Sequence, residues 1–410
     1  MHSLYLRWSK TMIIQNAIVC DINGERKVDV RIENGVITEV SPHLNDTEIL
    51  DAKGLYLLPS LVDTNIRLQD SILNAKNIKT ISDEARLGGI GHIVLNPDST
   101  PAIDNEIVLE YAQNTLGELQ GAQVDLMLNS LKEDTTLSDI AILLKKGVVA
   151  PFMSTIAKND IAIKIAEYVQ MYKVTLFCKA EDNSLISSGV MLDGDISSQL
   201  GLAGIPDLSE VLHVSRMIEI ARHFKIKILF KSIASPRSIS LIHKAKKDGV
   251  EVTCEVSIHH LLKSDQECID FNTTAKLDPP LATHSDMLTL QDALKNSQID
   301  CLTTLHQPSS PLNKEVAFYD AAYGCEAISL ALPLYFTKLV SSGMITMNKL
   351  IQLCVANPAQ SIGLKKGLIE VGQKAELILF DPTPTQLLHN PQSLYNGEIL
   401  HGKVNIIKGL

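Results

Sequence analysis

At 410 residues with 45% hydrophobic side chains, the chain can bury a large core, which excludes an intrinsically disordered protein. Its formal net charge of −10 offers no basic surface for nucleic acid or for an anionic membrane. No apolar run approaches the roughly 18 residues of a membrane-spanning helix. The seven cysteines are scattered without a C-x-x-C pair, which favours the reducing cytoplasm over a disulfide framework.

Short alternating apolar runs at both ends of the chain predict β-strands. Residues 1–11 are basic and lack an apolar stretch followed by a cleavage site, so we expect a leader outside the fold and not a signal peptide. Residues 12–58 carry Asn-Gly pairs at 23–24 and 34–35, which are typical of hairpins. Because residues 365–410 show the same pattern of short apolar runs separated by glycine turns, the two ends are predicted to form one β-sandwich domain.

Between the two ends, residues 59–364 alternate strand-length apolar runs with amphipathic helices, most clearly at 209–224 and 239–249. This rhythm is typical of the α/β class and predicts a parallel (β/α)8 TIM barrel. The chain offers eight candidate strands for it, at 57–66, 89–97, 124–130, 147–153, 174–180, 226–232, 251–257 and 299–305.

Several longer stretches resemble the dihydroorotases of the amidohydrolase superfamily. They are GLAGIPDLSE (201–210), SISLIHKAKKDGVEVTCEVSIHHL (238–261), KLDPPL (276–281) and VGQKAELILFDP (371–382). The resemblance implies a TIM barrel beside a small β-sandwich built from both chain ends. It also implies zinc-assisted hydrolysis of a cyclic amide, the dihydroorotate reaction of pyrimidine synthesis. The active residues would lie at the carboxyl ends of the barrel strands.

At the positions where the resemblance places zinc ligands and the catalytic aspartate, this chain carries other residue types. A His-x-His pair is replaced by Asn65 and Arg67, and no carboxylate stands at the bridging position around Ser154 and Thr155. The remaining replacements are Lys179, Ser232 and, for the catalytic aspartate, Leu305. Two of the five replacements are cations, which repel a dication at contact distance. We therefore expect no zinc, no other cofactor and no hydrolysis.

The substrate-binding positions implied by the resemblance are altered as well. Gln69 and Ala282 stand where arginines would bind the substrate carboxylate, while Asp98 and Asp278 place negative charge beside an anionic substrate. If Arg67 and Lys179 project into the barrel mouth, they need partners, because a buried unpaired charge is costly. Asp98, Asp278 and Glu181 are the expected partners in these ion pairs.

Some polar residues have a simpler interpretation as part of the core. His259 and His260 come after the seventh strand, and in extended backbone adjacent side chains face opposite ways, so at most one of them is expected to face the barrel interior. We expect both to pack or form hydrogen bonds and not to bind metal. Cys178 is interpreted as an ordinary buried thiol and not as a nucleophile. Lys179 is given an electrostatic role and not that of a Schiff-base lysine.

Three functions remain open on the sequence. The resemblance favours a non-catalytic dihydroorotase homologue that assembles with aspartate carbamoyltransferase, in a hetero- or homo-oligomer. The second is an active cyclic amidohydrolase of the dihydroorotase, allantoinase or hydantoinase type with an unconventional site. The third is a metal-free protein in which Arg67, Lys179 and His306 bind a small anion.

Overall fold

The computed structural model describes residues 11–46, 48–133, 135–154 and 157–407. Residues 1–10 of the expected leader lie outside the described residues, while Thr11, the last residue assigned to it, already belongs to the first strand. The limits predicted for the two domains otherwise stay a prediction. None of the described helices is long and apolar enough to span a membrane.

Seven short strands precede the barrel: β1 (Thr11–Gln15), β2 (Ile18–Asp21), β3 (Gly24–Lys27), β4 (Asp29–Glu33), β5 (Val36–Ser41), β6 (Ile49–Asp51) and β7 (Tyr56–Pro59). Both predicted hairpins are present, β2 with β3 and β4 with β5. The second turns through Asn34 and Gly35, both with positive φ, which this pair adopts readily.

Eight parallel strands follow: β8 (Leu61–Ile66), β9 (Ile90–Leu95), β10 (Gln123–Asn129), β11 (Ala150–Met153), β12 (Thr175–Lys179), β13 (Lys227–Lys231), β14 (Val252–Ser257) and β15 (Cys301–Thr303). They pair in sequence order, so the predicted TIM barrel is confirmed. Side chains join the first and last strands: Asp63 accepts hydrogen bonds from the Thr303 and Thr304 hydroxyls at 2.6 and 2.7 Å.

Helices lie between and after the barrel strands. They are α1 (Ala75–Leu87), α2 (Glu106–Leu116), α3 (Ile140–Lys145), α4 (Asn159–Tyr172), α5 (Asp195–Leu200), α6 (Leu208–Phe224), α7 (Pro236–Lys247), α8 (Ile258–Leu262), α9 (His284–Lys295), α10 (Pro311–Lys314), α11 (Ala331–Tyr335), α12 (Met347–Ile351) and α13 (Asn357–Ser361). The predicted helices at 209–224 and 239–249 are α6 and α7. Apolar side chains buried between these helices and the strands form one large core.

The C-terminal strands β16 (Leu377–Leu387) and β17 (Ile399–Ile406) return to the N-terminal unit. They complete a five-stranded sheet in the order β17-β16-β7-β2-β3, beside a four-stranded sheet in the order β5-β4-β1-β6. The expectation that both chain ends build one sheet domain is therefore confirmed, and its core includes Ile14, Leu57 and Leu379.

Two local predictions were wrong. The single strand expected at 57–66 is two strands, because β7 pairs with β16 in the sheet domain whereas β8 pairs with β9 in the barrel. His259 and His260 lie on the short helix α8 and not in extended backbone, because the Ser257 side chain caps that helix by accepting the His260 backbone N–H.

Candidate functional site

The replaced positions meet at the carboxyl ends of the barrel strands. Asn65 lies within β8 and Arg67 directly follows it, while Lys179 is the last residue of β12. Ser232 follows β13, and Leu305 follows β15 by two residues. That these positions correspond to lost zinc ligands stays a prediction from the resemblance, but the barrel brings them to one mouth.

Arg67 forms a charged pair with Asp98 across the mouth. Its Nε and Nη2 both donate to one oxygen of Asp98, at 3.1 and 2.8 Å. The Arg67 side chain is 9% exposed and that of Asp98 is 26% exposed. Burial alone would lower the pKa of Arg67, but the neighbouring carboxylates, Asp98 foremost, hold it above its usual value. The guanidinium is a fixed charge at this place.

Lys179 is held by two carboxylates. Its Nζ lies 2.7 Å from Asp278 and 2.9 Å from Glu181. Burial opposes the charge on Lys179, yet the two carboxylates raise its pKa above the usual value. Burial likewise works against the Asp278 carboxylate, but Lys179 and Arg67 lower its pKa. The ion pairs expected from the sequence are thus confirmed with all three predicted partners.

The third carboxylate of the mouth, Glu181, differs from Asp278 in the direction of its pKa shift. Burial, followed by the nearby Asp278 carboxylate, raises the pKa of Glu181. The mouth cluster (Arg67, Lys179, Asp98, Asp278 and Glu181) therefore sets two cations against three carboxylates, one of which resists ionisation. Because Arg67 and Lys179 are both occupied by these partners, the cluster leaves neither of them as an unpaired cation for an anionic ligand.

Below the mouth cluster, a buried polar network occupies the barrel axis, and sequence reasoning missed its centre. Lys231 donates to the Thr64 carbonyl at 2.5 Å and to the Asn96 side chain at 2.6 Å. It lies 5.4 and 5.5 Å from the centroids of the Phe152 and Phe177 rings. Burial lowers the pKa of Lys231 to about 8, against the opposing effect of Glu255. A lysine inside the apolar run IKILFKS was the available signal.

Asn65 completes this network. Its amide nitrogen donates to Ser232 at 2.6 Å and to Glu255 at 2.7 Å, and its oxygen accepts from Asn96 at 2.8 Å. Glu255 also accepts from the Thr64 hydroxyl, and burial raises the pKa of its carboxyl group. The side chains at two of the predicted ligand positions, Asn65 and Ser232, are therefore joined by a hydrogen bond.

Backbone strain persists at two of the replaced positions. Leu305 has φ of 46° and Ser232 has φ of 50°, in the left-handed region that costs an ordinary residue roughly 1 kcal/mol. Leucine gains nothing from this conformation, since its side chain has no polar group to bond the local backbone. The left-handed backbone at Leu305 is therefore strained, with no side-chain hydrogen bond to offset the cost.

The remaining predicted positions do not add a charged ligand. Gln69 is exposed, and Ala282 is buried. Ser154 donates to the side chain of Asn129 at 3.2 Å, and Thr155 lies outside the described residues. His306 is buried, its Nδ1 accepts the backbone N–H of Ala327 at 3.1 Å, and burial lowers its pKa to about 3. His306 is thus a neutral imidazole and brings no positive charge for an anion.

These residues do not fit zinc. Zinc sites in proteins use thiolate, imidazole and carboxylate ligands, usually three or four of them. Across residues 11–46, 48–133, 135–154 and 157–407, no three histidine, cysteine, aspartate or glutamate side chains are arranged so that they could hold a metal ion. The carboxylates nearest the mouth already neutralise Arg67 and Lys179.

The buried histidines and Cys178 have structural contacts. His259 forms hydrogen bonds with the Tyr395 hydroxyl at 3.0 Å and with the Cys325 thiol at 3.3 Å. His260 forms a hydrogen bond with the Ser257 hydroxyl at 2.7 Å. The Cys178 thiol lies 3.1 Å from His213 in the core, and burial raises its pKa to about 12. A thiol held in its neutral form is not a nucleophile.

The fold and its mouth define a TIM barrel with a composite sheet domain, built around a polar centre. The model of the Amidohydrolase family matches residues 56–405, so the chain belongs to the amidohydrolase family. It is similar to the dihydroorotase of Caldanaerobacter subterraneus subsp. tengcongensis, with 32% identity over 90% of this chain and 88% of that protein. The dihydroorotase of Elusimicrobium minutum is 34% identical over the same shares.

Solved structures agree on the fold. The L-hydantoinase of Arthrobacter aurescens superposes with a TM-score of 0.84 at 19% identity, covering 96% of this chain and 93% of that one. The dihydropyrimidinase of Brevibacillus agri gives a TM-score of 0.82, also at 19% identity, over 96% and 92% of the two chains. The chain is thus a dihydroorotase-like member of the amidohydrolase family.

Proposed function

We propose that this protein is a catalytically silent dihydroorotase homologue that serves as a structural or regulatory subunit in pyrimidine synthesis, in a complex with aspartate carbamoyltransferase. The observation that carries the proposal is the pairing of Arg67 and Lys179 with carboxylates at the carboxyl ends of the strands. In this interpretation, fixed charge pairs take the place that a metal would need.

The residues at the barrel mouth support the absence of hydrolytic activity. A water molecule needs a Lewis acid or a general base to attack an amide at neutral pH. Leu305 can neither accept a proton nor bind metal, and Asp278 is held as the counter-charge of Lys179. Asp98 is engaged with Arg67 in the same way. Neither aspartate of the mouth cluster is therefore a free base that could activate a water molecule.

Further observations support the proposed pathway and compartment. Relatives that match over about nine-tenths of the chain are dihydroorotases, which supports a proposed role in pyrimidine synthesis. The barrel wall and outer helices persist without the chemistry, as a subunit that acts through its surface requires. All seven cysteines are buried and unpaired, which is consistent with the cytoplasm.

The names of the relatives favour a second candidate, an active cyclic amidohydrolase with an unconventional site. The two candidates differ in a direct assay: the purified protein is given dihydroorotate, allantoin and hydantoin, and ring opening is measured. We expect no turnover above that of a matched preparation of the Lys179→Met variant. This control identifies background from a host enzyme, because such background does not change with the variant. Turnover that the variant abolishes would reject the silent subunit.

The partner is tested by co-expression with the aspartate carbamoyltransferase of the same organism. We expect the two chains to co-elute in size-exclusion chromatography at a defined stoichiometry. We also expect the activity or thermal stability of the carbamoyltransferase to change on mixing. The Gln69→Ala variant, at an exposed position of the mouth, should behave as wild type in the complex if function lies in the surface. Separate elution with unchanged carbamoyltransferase activity would reject this partner.

A further inference from the structure

Two neighbouring segments beyond the carboxyl ends of the last barrel strands form one surface of the molecule. Residues 269–273 follow β14 and helix α8, and residues 311–320 follow β15. The two segments touch: the Thr273 hydroxyl donates to the Lys314 carbonyl, and the Lys314 ammonium group donates to the Thr273 carbonyl, both at 2.9 Å. Residues 269–273 and 311–320 are called the loop face below.

The loop face exposes five large apolar side chains. Leu312 is 85% exposed, and Ile269, Phe271, Val316 and Tyr319 are between 40% and 52% exposed. A monomeric protein seldom leaves a group of large apolar side chains together in water, and such a group marks a contact with another molecule. Aromatic side chains, of which the loop face exposes two, are enriched in protein interfaces.

Two buried lysines hold the loop face in place from below. The Lys314 ammonium group donates to the carbonyls of Thr273 and Ala322, at 2.9 and 2.8 Å. The Lys276 ammonium group donates to the carbonyls of residues 318–319, at 2.9 and 2.8 Å. Neither lysine forms an ion pair with a described residue, although burial of a charge is costly. These bonds fix the path of the exposed segment, and a surface that is already ordered loses less entropy when it binds.

The backbone of the loop face is strained where it exposes its first aromatic ring. Asp270 and Phe271 have φ of 61° and 57°, in the left-handed region that costs an ordinary residue roughly 1 kcal/mol. Burial of the Phe271 ring does not offset this cost, since the residue is 49% exposed. Strain of this kind is concentrated at positions that contact a ligand or a partner. It therefore supports a contact independently of the exposed apolar area.

The exposed charges of the loop face are all negative. Asp270, Glu315 and Asp320 are exposed, and none of them forms an ion pair with a described residue. Lys314, the one basic residue of the two segments, is buried. A two-fold contact between copies of this face would place carboxylates against carboxylates, and an anionic membrane would be repelled as well. The face instead fits a surface that carries positive charge.

We propose that the loop face is the docking surface for a different protein, whose contact area is apolar at its centre and bordered by lysine and arginine side chains. Leu312, Phe271 and Tyr319 contact the apolar centre, and the three carboxylates pair with the basic border. This inference rests on the proposed function, because aspartate carbamoyltransferase is the partner that it assigns to this face. It adds which surface of the chain makes the contact and what chemistry the partner must present.

The first test changes the most exposed apolar side chain. The full chain is titrated into the aspartate carbamoyltransferase of the same organism by isothermal titration calorimetry. Leu312→Glu should fold normally because residue 312 is 85% exposed, and it should weaken binding by at least roughly tenfold because it places a charge in an apolar contact. Ile107→Glu on α2 is the matched control, since Ile107 is 81% exposed and lies outside the loop face; it should bind as wild type.

The second test concerns charge. The double variant Glu315→Lys/Asp320→Lys should weaken binding by roughly tenfold. Binding of the wild type should weaken as the salt concentration rises, and the double variant should lose this dependence, because salt screens attraction between opposite charges. Glu219→Lys on α6, whose side chain is 70% exposed, is the matched control and should keep both the affinity and the salt dependence.

The outcomes separate this inference from the proposed function. If the wild type binds the carbamoyltransferase and Leu312→Glu or the double variant binds as tightly, the loop face is overturned as the docking surface while the proposed function stands. Equal losses in Leu312→Glu and Ile107→Glu would also overturn it. No binding by the wild type would reject the partner and this docking surface together. Self-association of the chain alone that Leu312→Glu abolishes, measured by analytical ultracentrifugation, would assign the face to a second copy and overturn the proposal.

Discussion

Removing the two halves of the Arg67 pair should have unequal effects on the free energy of unfolding. Asp98→Asn leaves a guanidinium that is only 9% exposed without its principal counter-charge. Breaking a buried pair in this way costs about 3–5 kcal/mol, and we expect the lower end because Asp278 and Glu181 also stabilise Arg67. Arg67→Met leaves Asp98, which is 26% exposed and can regain water, so we expect only about 1 kcal/mol.

The double variant Arg67→Met/Asp98→Asn removes both charges and keeps the aliphatic contacts of the Arg67 stem. We expect it to cost about 1 kcal/mol, which is less than Asp98→Asn alone. The resulting coupling energy between the two positions is about 3 kcal/mol. Urea unfolding followed by circular dichroism measures each variant, and the slope of the transition must stay constant for the comparison to hold.

Glu219→Gln, in an exposed pair with Arg222, is the matched control and should change the unfolding free energy by less than about 0.5 kcal/mol. The reasoning would be refuted if the effects of Arg67→Met and Asp98→Asn were additive. A larger loss of stability in Arg67→Met than in Asp98→Asn would have the same meaning, because the guanidinium is the more buried of the two charges.

Three further predictions concern the barrel centre and the core. Burial lowers the pKa of four histidines to about 3 or 4: His213, His259, His260 and His306. Because these histidines gain protons on unfolding, the protein loses stability as the pH falls below 6.5, by about 1.4 kcal/mol for each histidine at pH 5.5. A urea midpoint that stays unchanged between pH 7 and pH 5.5 would contradict this. Lys231→Met leaves the Thr64 carbonyl and the Asn96 side chain without their hydrogen-bond donor. We expect the free energy of unfolding, measured in urea, to fall by about 1–3 kcal/mol. Wild-type stability in this variant would exclude a stabilising role for the Lys231 ammonium group. Leu305→Asp alone should yield no dihydroorotate hydrolysis in a direct assay, because the surrounding described residues do not supply metal ligands. Turnover in this variant would show that a single residue silences the site.

Most of the fold could be predicted from the sequence because a buried parallel strand is an uninterrupted apolar run. The runs at 174–180 and 226–232 correspond to β12 and β13 within one or two residues. The division of 57–66 could not be predicted, since both halves are equally apolar and only the partner strands separate them. The helix at 258–262 was missed because its capping residue, Ser257, is also the last residue of β14, so no turn residue separates the strand from the helix.

The site was predictable in part for a different reason. The resemblance fixed which positions face the mouth, and the cost of an unpaired buried charge then required the pairs of Arg67 and Lys179. Lys231 was missed because the resemblance assigns it no role, and its partners come from distant parts of the chain, at Thr64 and Asn96.

If charge pairs occupy the place of a metal in this protein, the zinc content of the purified chain shows it most directly. The protein would be purified without chelators from zinc-supplemented cells and analysed by inductively coupled plasma mass spectrometry, with an active dihydroorotase handled in parallel. Our account predicts zinc far below one ion per chain while the active enzyme retains its metal. One or two zinc ions per chain that persist through dialysis would contradict it.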